Sequence, residues 1–162
     1  MSVRYAGFWI RLIADIIDSL VLTALSWLLE YILLGMVYGV WALYMKMHAQ
    51  LAPPFSDAFN PFYLQIVNVG LYFCLAFPYY VWGHFYWGTT LGKRPFNIYV
   101  VSADTLGPIT IKQSMVRFFS YLISYLPFCA GFLMAAIHPK KQGLHELVAG
   151  TVSVNRSSFR EV

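Results

Sequence analysis

The stretch FWIRLIADIIDSLVLTALSWLLEYILLG, residues 8–35, is long and almost entirely apolar, and it decides the fold class. About 20 helical residues cross the roughly 30 Å hydrocarbon core of a bilayer, so residues 8–34 predict a membrane span with length to spare. The same stretch nevertheless carries Arg11, Asp15 and Asp18 close together. Because a charged group in hydrocarbon is costly, these three residues need partners elsewhere in the chain.

The composition agrees with a membrane protein. The chain has 162 residues, of which 59% are hydrophobic and 11% are charged, whereas roughly a quarter are charged in an average soluble domain. The mean hydropathy is +0.61. The partner of so much apolar surface is the lipid bilayer. A nucleic-acid-binding role is excluded because the basic residues are scattered along the chain.

Two further apolar runs follow. Residues 62–83 predict a second span, and residues 36–51 predict a helical extension or an interfacial helix before a proline-rich loop at residues 53–61. The third run, residues 114–137, fits either one kinked crossing or a re-entrant hairpin. In the hairpin, two arms meet at Pro127, and each arm is too short to span alone.

The basic residues predict the orientation of the chain. They are Arg4, Arg11, Lys93, Arg94, Lys112, Arg117, Lys140, Lys141, Arg156 and Arg160, whereas the loop after the first span contributes only Lys46. The positive-inside rule then predicts a multi-pass protein of the inner (plasma) membrane with a cytoplasmic N-terminus. The basic tail also favours the cytoplasm, which favours the re-entrant hairpin. Within GTTLGKRP, Lys93 and Arg94 are predicted to face anionic headgroups.

Two short β-branched runs, NIYVVSAD (residues 97–104) and GTVSVN (residues 150–155), predict strands. They are either a small cytoplasmic pair or two unrelated extended loops. The predicted fold is therefore an all-α membrane protein, a single domain over residues 1–162. It has two to three transmembrane helices, a re-entrant hairpin as the alternative to a third crossing, and a small cytoplasmic β-strand pair.

The three charged residues of the first span share one helical face, because they are offset by four and seven positions. If hydrocarbon begins at Phe8, Asp18 lies about 15 Å deep, close to the midplane. An ion pair between Arg11 and Asp15 would account for Asp15 and leave Asp18 without a base on its own helix. Asp18 is therefore the better candidate for a functional group.

Other segments offer partners for Asp18. Arg117 could supply the missing positive charge, and Asn68 could supply an amide, although Asn68 also fits a simple hydrogen bond between helices. Glu30 lies about 33 Å from Phe8 along an ideal helix, so we predict that it reaches the far interface and is solvated.

Four blocks in this order resemble the RDD family of bacterial membrane proteins. They are AGFWIRLIADIID, GTTLGKRPFNIYVVSADTLGPIT, MVRFF and KKQGLHELVAGTVSV. The family is named for one arginine and two aspartates. Arg11 and Asp18 match the first two positions, Glu146 stands where the third is usually aspartate, and Asp15 is additional.

The resemblance implies a small helical membrane domain and not an enzyme, and it links some family members to cation/proton exchange. We therefore expect transport or ion exchange of small cations and protons by a homo-oligomer, with Asp18 as the protonatable carrier. The predicted site is Arg11, Asp15, Asp18, Asn68, Arg117 and Glu146, without cofactor or metal. The alternative is a non-transporting scaffold that binds another membrane protein or a lipid, in which the charged face locks helices together.

Overall fold

The computed structural model describes residues 4–48, 60–125 and 130–155. Its elements are, in chain order, α1 (Phe8–Met47), α2 (Pro61–Trp87), a 3₁₀ turn (Arg94–Phe96), β1 (Ile98–Ser102), α3 (Ile111–Tyr125), α4 (Ala130–Ile137), α5 (Leu144–Ala149) and β2 (Thr151–Asn155). A mostly helical chain with one small antiparallel sheet confirms the predicted fold class.

The first two helices are both longer than the predicted spans. Helix α1 has 40 residues and α2 has 27, which correspond to about 60 Å and about 40 Å at 1.5 Å per residue. Residues 36–47 simply continue α1, so the helical extension predicted there is confirmed. By length and composition, both helices can cross a membrane.

Helix α2 has clear sequence signals at both ends. Pro61 occupies its first position, where a missing backbone N–H costs nothing. Gly88 follows its last residue with φ +62°, a left-handed conformation that glycine adopts without strain. The carbonyl of Gly88 accepts a hydrogen bond from Val100 N–H at 2.6 Å, which sets the end of α2 against β1.

The two predicted strands pair. Strands β1 and β2 are antiparallel, with Val100 opposite Ser153 in the register. On the other edge of β2, Tyr5 bridges Val154, and Ala6 N–H donates to the carbonyl of Ser153 at 3.0 Å. Strand β2 therefore lies between β1 and the segment before α1, and the alternative of two unrelated loops is wrong.

The third apolar run forms two helices, α3 and α4, that fold back on each other. The rings of Tyr121 in α3 and Phe132 in α4 stack with centroids 5.9 Å apart. Eleven residues of one continuous helix would separate these positions by about 16 Å, so a single kinked crossing is wrong. The predicted hinge, Pro127, lies outside the described residues.

Helix α3 has an inverted polarity. Its buried side carries Ser114, Arg117 and Ser124, whereas Phe119 and Leu122 are 59% and 64% exposed. In a soluble protein the apolar stripe of a helix faces the core. An apolar outer face over a polar interior is the arrangement expected where the surroundings are lipid.

The chain divides into two compact units, one formed by residues 1–20 and 77–162 and the other by residues 21–76. The first unit contains the sheet and the short helices. The second contains most of α1 and the first part of α2. Within the second unit, the buried positions of α1 recur every four residues, at Leu22, Ser26 and Glu30.

Candidate functional site

Glu146 is the centre of a buried charge cluster in the first unit. Its side chain is fully buried, and its two carboxylate oxygens lie 2.8 Å from Arg11 Nη1 and 2.9 Å from Arg117 Nη2. Ser153 donates its hydroxyl to the same carboxylate, and Gly143 donates its backbone N–H at 3.1 Å. Two guanidinium groups therefore share one carboxylate whose oxygens are also hydrogen-bonded.

Three distant parts of the sequence supply this cluster. Arg11 comes from the first turns of α1, Arg117 from the middle of α3 and Glu146 from the first turn of α5. Glu146 also caps α5, because its side chain reaches back to the N–H of Gly143, the residue before the helix. The local helix start thus fixes the carboxylate where the two arginines meet.

The neighbours of Glu146 keep it ionised. Burial alone would raise the pKa of its carboxyl, but Arg117 and Arg11 hold that pKa well below the usual range. A general acid or base works best with a pKa close to the working pH. Glu146 is therefore suited to holding charges in place and poorly suited to exchanging a proton.

Asp18 has a different environment in the same unit. It is fully buried, Tyr79 and Thr90 donate their hydroxyls to its carboxylate, and Gly92 N–H donates at 2.7 Å. No ion pair among the described residues involves Asp18, and Arg117 binds Glu146 instead. The predicted pairing of Asp18 with Arg117 is therefore wrong.

Gly92 is required by the close approach of this turn to α1. A Cβ atom at residue 92 would lie 2.2 Å from the carbonyl oxygen of Ala14 and 2.9 Å from the carboxylate of Asp18. Only a residue without a side chain lets its N–H reach Asp18 at this distance. Gly92 of the block GTTLGKRP is thus needed for the hydrogen bond to Asp18 of the block RLIADIID.

Asp15 pairs with Lys93, whose Nζ lies 2.9 Å from its carboxylate. The side chain of Lys93 is 1% exposed and that of Asp15 is 31% exposed. Burial would lower the pKa of Lys93, but Asp15 raises it above its ordinary value. The predicted ion pair of Arg11 with Asp15 is wrong, and so is the prediction that Lys93 faces headgroups.

A small cavity of about 30 Å³ opens beside these charges. Its polar lining is Arg11, Asp15, Lys93, Arg117, His145, Glu146 and Ser153. A cavity of this size holds about one water molecule.

The second unit contains a separate polar pair. Asn68 in α2 donates its amide to the carboxylate of Glu30 in α1 at 2.7 Å, and Glu30 is 8% exposed. The prediction that Glu30 is solvated at the far interface is therefore wrong. Asn68 does not join Arg11, Asp18 and Glu146 in one site, because it hydrogen-bonds within the second unit.

Several site residues were missed by the sequence analysis. They are Tyr79, Thr90, Gly92, Ser153 and, as an ion-pair partner, Lys93. The block GTTLGKRP held three of them, and its place directly after a membrane span was the available signal. Tyr79 stood among aromatic residues of α2, and nothing in its spacing set it apart.

His145 is buried beside the cluster. Its Nδ1 lies 3.3 Å from Ser124 Oγ and its ring packs on that of Tyr121. Burial and the positive charge of Arg117 lower the pKa of His145. In the described parts of the chain, no group of three or more His, Cys, Asp or Glu side chains is placed to hold a metal ion.

Comparison with known proteins agrees with these features. A family model described as the RDD family matches residues 5–150, which contain Arg11, Asp18 and Glu146. No solved structure matches the chain significantly.

Three relatives carry no assigned activity in their names. "Uncharacterized protein YxaI" of Bacillus subtilis (strain 168) is 31% identical over 150 residues, covering 90% of this chain and 94% of that protein. "Uncharacterized membrane protein YteJ" of the same organism is 28% identical over 158 residues, covering 97% and 85%. "Uncharacterized protein RP437" of Rickettsia prowazekii (strain Madrid E) is 37% identical over 76 residues, covering 47% and 42%.

Proposed function

The chain belongs to the RDD family of membrane proteins, and from this premise we propose that it is a non-transporting membrane scaffold whose motif charges lock its first unit together. One observation carries the proposal: both motif acids, Asp18 and Glu146, are fully buried and their oxygens are occupied by donors from other segments. A carboxylate that carries a proton or a cation must exchange its bound partners and become accessible to water. A carboxylate that only holds segments together needs neither.

The outer surface of the first unit supports a binding role within the membrane. Phe119 and Leu122 of α3, Leu133 and Ile137 of α4, and Val148 of α5 are all about half exposed or more. A rigid polar interior would hold this apolar surface in one shape. The proposed partner is an apolar one, either lipid or another membrane protein.

The proposed orientation places the segment before α1 in the cytoplasm of a two-span protein of the plasma membrane. Tyr5 bridges Val154, so the segment before α1 and strand β2 lie on the same side of the membrane. The exposed bases of this unit, Arg94 and Lys112 among them, would lie on that side too. This is the distribution that the positive-inside rule favours.

The lock is tested with Asp18→Asn in reconstituted vesicles. Asparagine has one acceptor oxygen where aspartate has two, so an N–H or O–H donor loses its partner and the free energy of unfolding falls by about 1–3 kcal/mol. The scaffold proposal also expects proton and cation flux to be the same for wild type, variant and empty vesicles. Asp104→Asn, at an exposed acid, is the matched control.

A stable Asp18→Asn protein that has lost a pH-linked flux shown by the wild type would contradict the lock. Such a result would instead support Asp18 as a proton carrier.

Ion exchange of protons or small cations is the second candidate function. It is favoured by one observation: the acid Glu30 accepts a hydrogen bond from the amide of Asn68 and forms no ion pair among the described residues, between two helices of membrane-spanning length. Two spans do not enclose a pathway, so this function requires a homo-oligomer. A strictly monomeric state in native lipid would argue against it.

A further inference from the structure

Glu30 differs from Glu146 and Asp15 of the first unit because its hydrogen-bond partner carries no charge. Asn68 donates to its carboxylate at 2.7 Å, and an amide carries no charge. The ion pairs of the described residues are Arg11–Glu146, Lys93–Asp15 and Arg117–Glu146, and all lie in the first unit. The carboxyl of Glu30 thus has a hydrogen-bond donor but no counter-charge among these residues.

The outer face of α1 beside Glu30 is apolar. On the same helix, Trp27, Leu28 and Ile32 are 57%, 58% and 50% exposed, so this part of α1 presents large apolar side chains outward. Glu30 itself lies on the opposite, buried stripe with Leu22 and Ser26. An uncompensated carboxylate in such a place costs several kcal/mol.

Other ionisable groups do not remove this cost. In the described part of the second unit they are five tyrosines, Cys74, Lys46 and His48. Lys46 is 16 residues beyond Glu30 on α1, or about 24 Å along the axis. From α2, the side chain that faces Glu30 is the uncharged Asn68.

We infer that Glu30 and Asn68 form a proton-binding site within the membrane-spanning part of the second unit. A proton is the smallest ligand that removes the charge, and it needs no more space than the pair already occupies. Asn68 then fixes the carboxyl by donating to one of its oxygens. This activity is independent of the lock, because none of its residues belongs to the first unit.

A proton-binding role of Glu30 can be distinguished from a purely structural contact between α1 and α2, because a structural contact does not need an ionisable side chain at residue 30. A glutamine at residue 30 would accept the hydrogen bond from Asn68 equally well and would keep the same shape. It could not take up or release a proton. Glu30→Gln therefore preserves the contact and removes only the proposed ligand.

The experiment uses the full chain in lipid vesicles and a membrane-soluble carbodiimide, which reacts with the protonated form of a carboxyl. The acid adds its O–H across one C=N bond and the adduct rearranges to a stable acylurea, so the mass of the labelled peptide rises by the whole reagent. We expect labelling at Glu30 that decreases as the pH is raised, because only the protonated carboxyl reacts. Glu146, buried but ionised, is the matched acid that stays unlabelled.

Asn68→Leu sharpens the test. It removes the hydrogen bond that Asn68 donates to the carboxylate, so labelling at Glu30 should be stronger than in the wild type when both are measured at the same pH. Glu30→Gln should lose the label and keep the elution volume and thermal midpoint of the wild type, which shows that the pair still folds.

Two results would overturn the inference. They are an absence of label at Glu30 at every pH and a labelling level that does not change with pH.

Discussion

Glu146 and Glu30 are both buried glutamates in one chain, yet they have opposite surroundings. Glu146 has two guanidinium groups within 2.9 Å and is further bound by a hydroxyl and a backbone N–H. Glu30 has one neutral amide at 2.7 Å. Burial alone therefore does not decide what an acid does. The charge of its neighbours decides whether it holds two arginines in place, as Glu146 does, or accepts a hydrogen bond from a neutral amide, as Glu30 does.

The same contrast separates the two units. In the first unit, acids and bases from α1, α3, α5 and the turn after α2 neutralise one another in a packed interior. In the second unit, Glu30 of α1 accepts a hydrogen bond from Asn68 of α2, and the described residues form no ion pair there. The first unit should therefore be sensitive to the loss of any of its buried charges, and the second should tolerate the loss of the charge on Glu30.

The largest expected effect is that of Glu146→Gln compared with Glu30→Gln. Removing the charge of Glu146 leaves Arg11 and Arg117 buried without a counter-charge, which costs about 3–5 kcal/mol of the free energy of unfolding. Glu30→Gln keeps its hydrogen bond, so its cost should be about 0.6 kcal/mol or less. Denaturant titration in detergent measures both. Equal losses would show that the two glutamates play the same structural part.

A steric comparison comes next, Gly92→Ala against Gly70→Ala. The new Cβ at residue 92 would collide with the backbone of Ala14 and with Asp18, whereas nothing lies within 4 Å of the corresponding position at residue 70. We expect Gly92→Ala to cost about 1–3 kcal/mol. Gly70→Ala should be neutral or stabilising by up to about 1 kcal/mol, because alanine favours helix. A tolerated Gly92→Ala would mean that the turn does not pack on α1 as described.

The smallest expected effect is a loss of stability at acidic pH that is caused by His145 in the first unit. The pKa of His145 is lowered by burial and by Arg117, so its contribution is fully present above the unfolded value of about 6.5 and is lost as the pH falls. Glu146, with its own lowered pKa, stays ionised in this range. Thermal midpoints between pH 7.5 and 5 should therefore fall more for the wild type than for His145→Gln. Parallel curves would exclude His145 as the source.

Most of the fold could be predicted from the sequence because its signals are local. Apolar runs of sufficient length predict long helices, and β-branched runs between Gly, Pro and Asp predict strands β1 and β2. The helix ends were less predictable. Nothing in residues 35–47 marks the point at which an apolar helix leaves hydrocarbon, so α1 continues to Met47 beyond the predicted span.

The charged residues of the site were predictable in part, but their contacts were not. Helical spacing favoured Arg11 with Asp15, and the structure pairs Arg11 with Glu146 and Asp15 with Lys93. Each of these partners comes from a distant segment, and periodicity within one helix carries no information about what another segment brings. The depth argument for Glu30 failed for the same reason, because it assumed that a solvated end was the only place for an acid.

Strand β2 lies between β1 and the segment before α1, so residues made last contact residues made first. This arrangement has a consequence for folding during synthesis. Arg11 and Glu146 are 135 residues apart, and a ribosome adding about 5–20 residues per second needs about 7–27 s to produce the second after the first. For that time Arg11 lacks its counter-ion Glu146, whereas Asp18 waits only about 4–15 s for the turn at Gly92, which follows it by 74 residues. A nascent chain arrested before residue 146 should therefore remain susceptible to quality-control proteases, and release of the last strand should end that susceptibility.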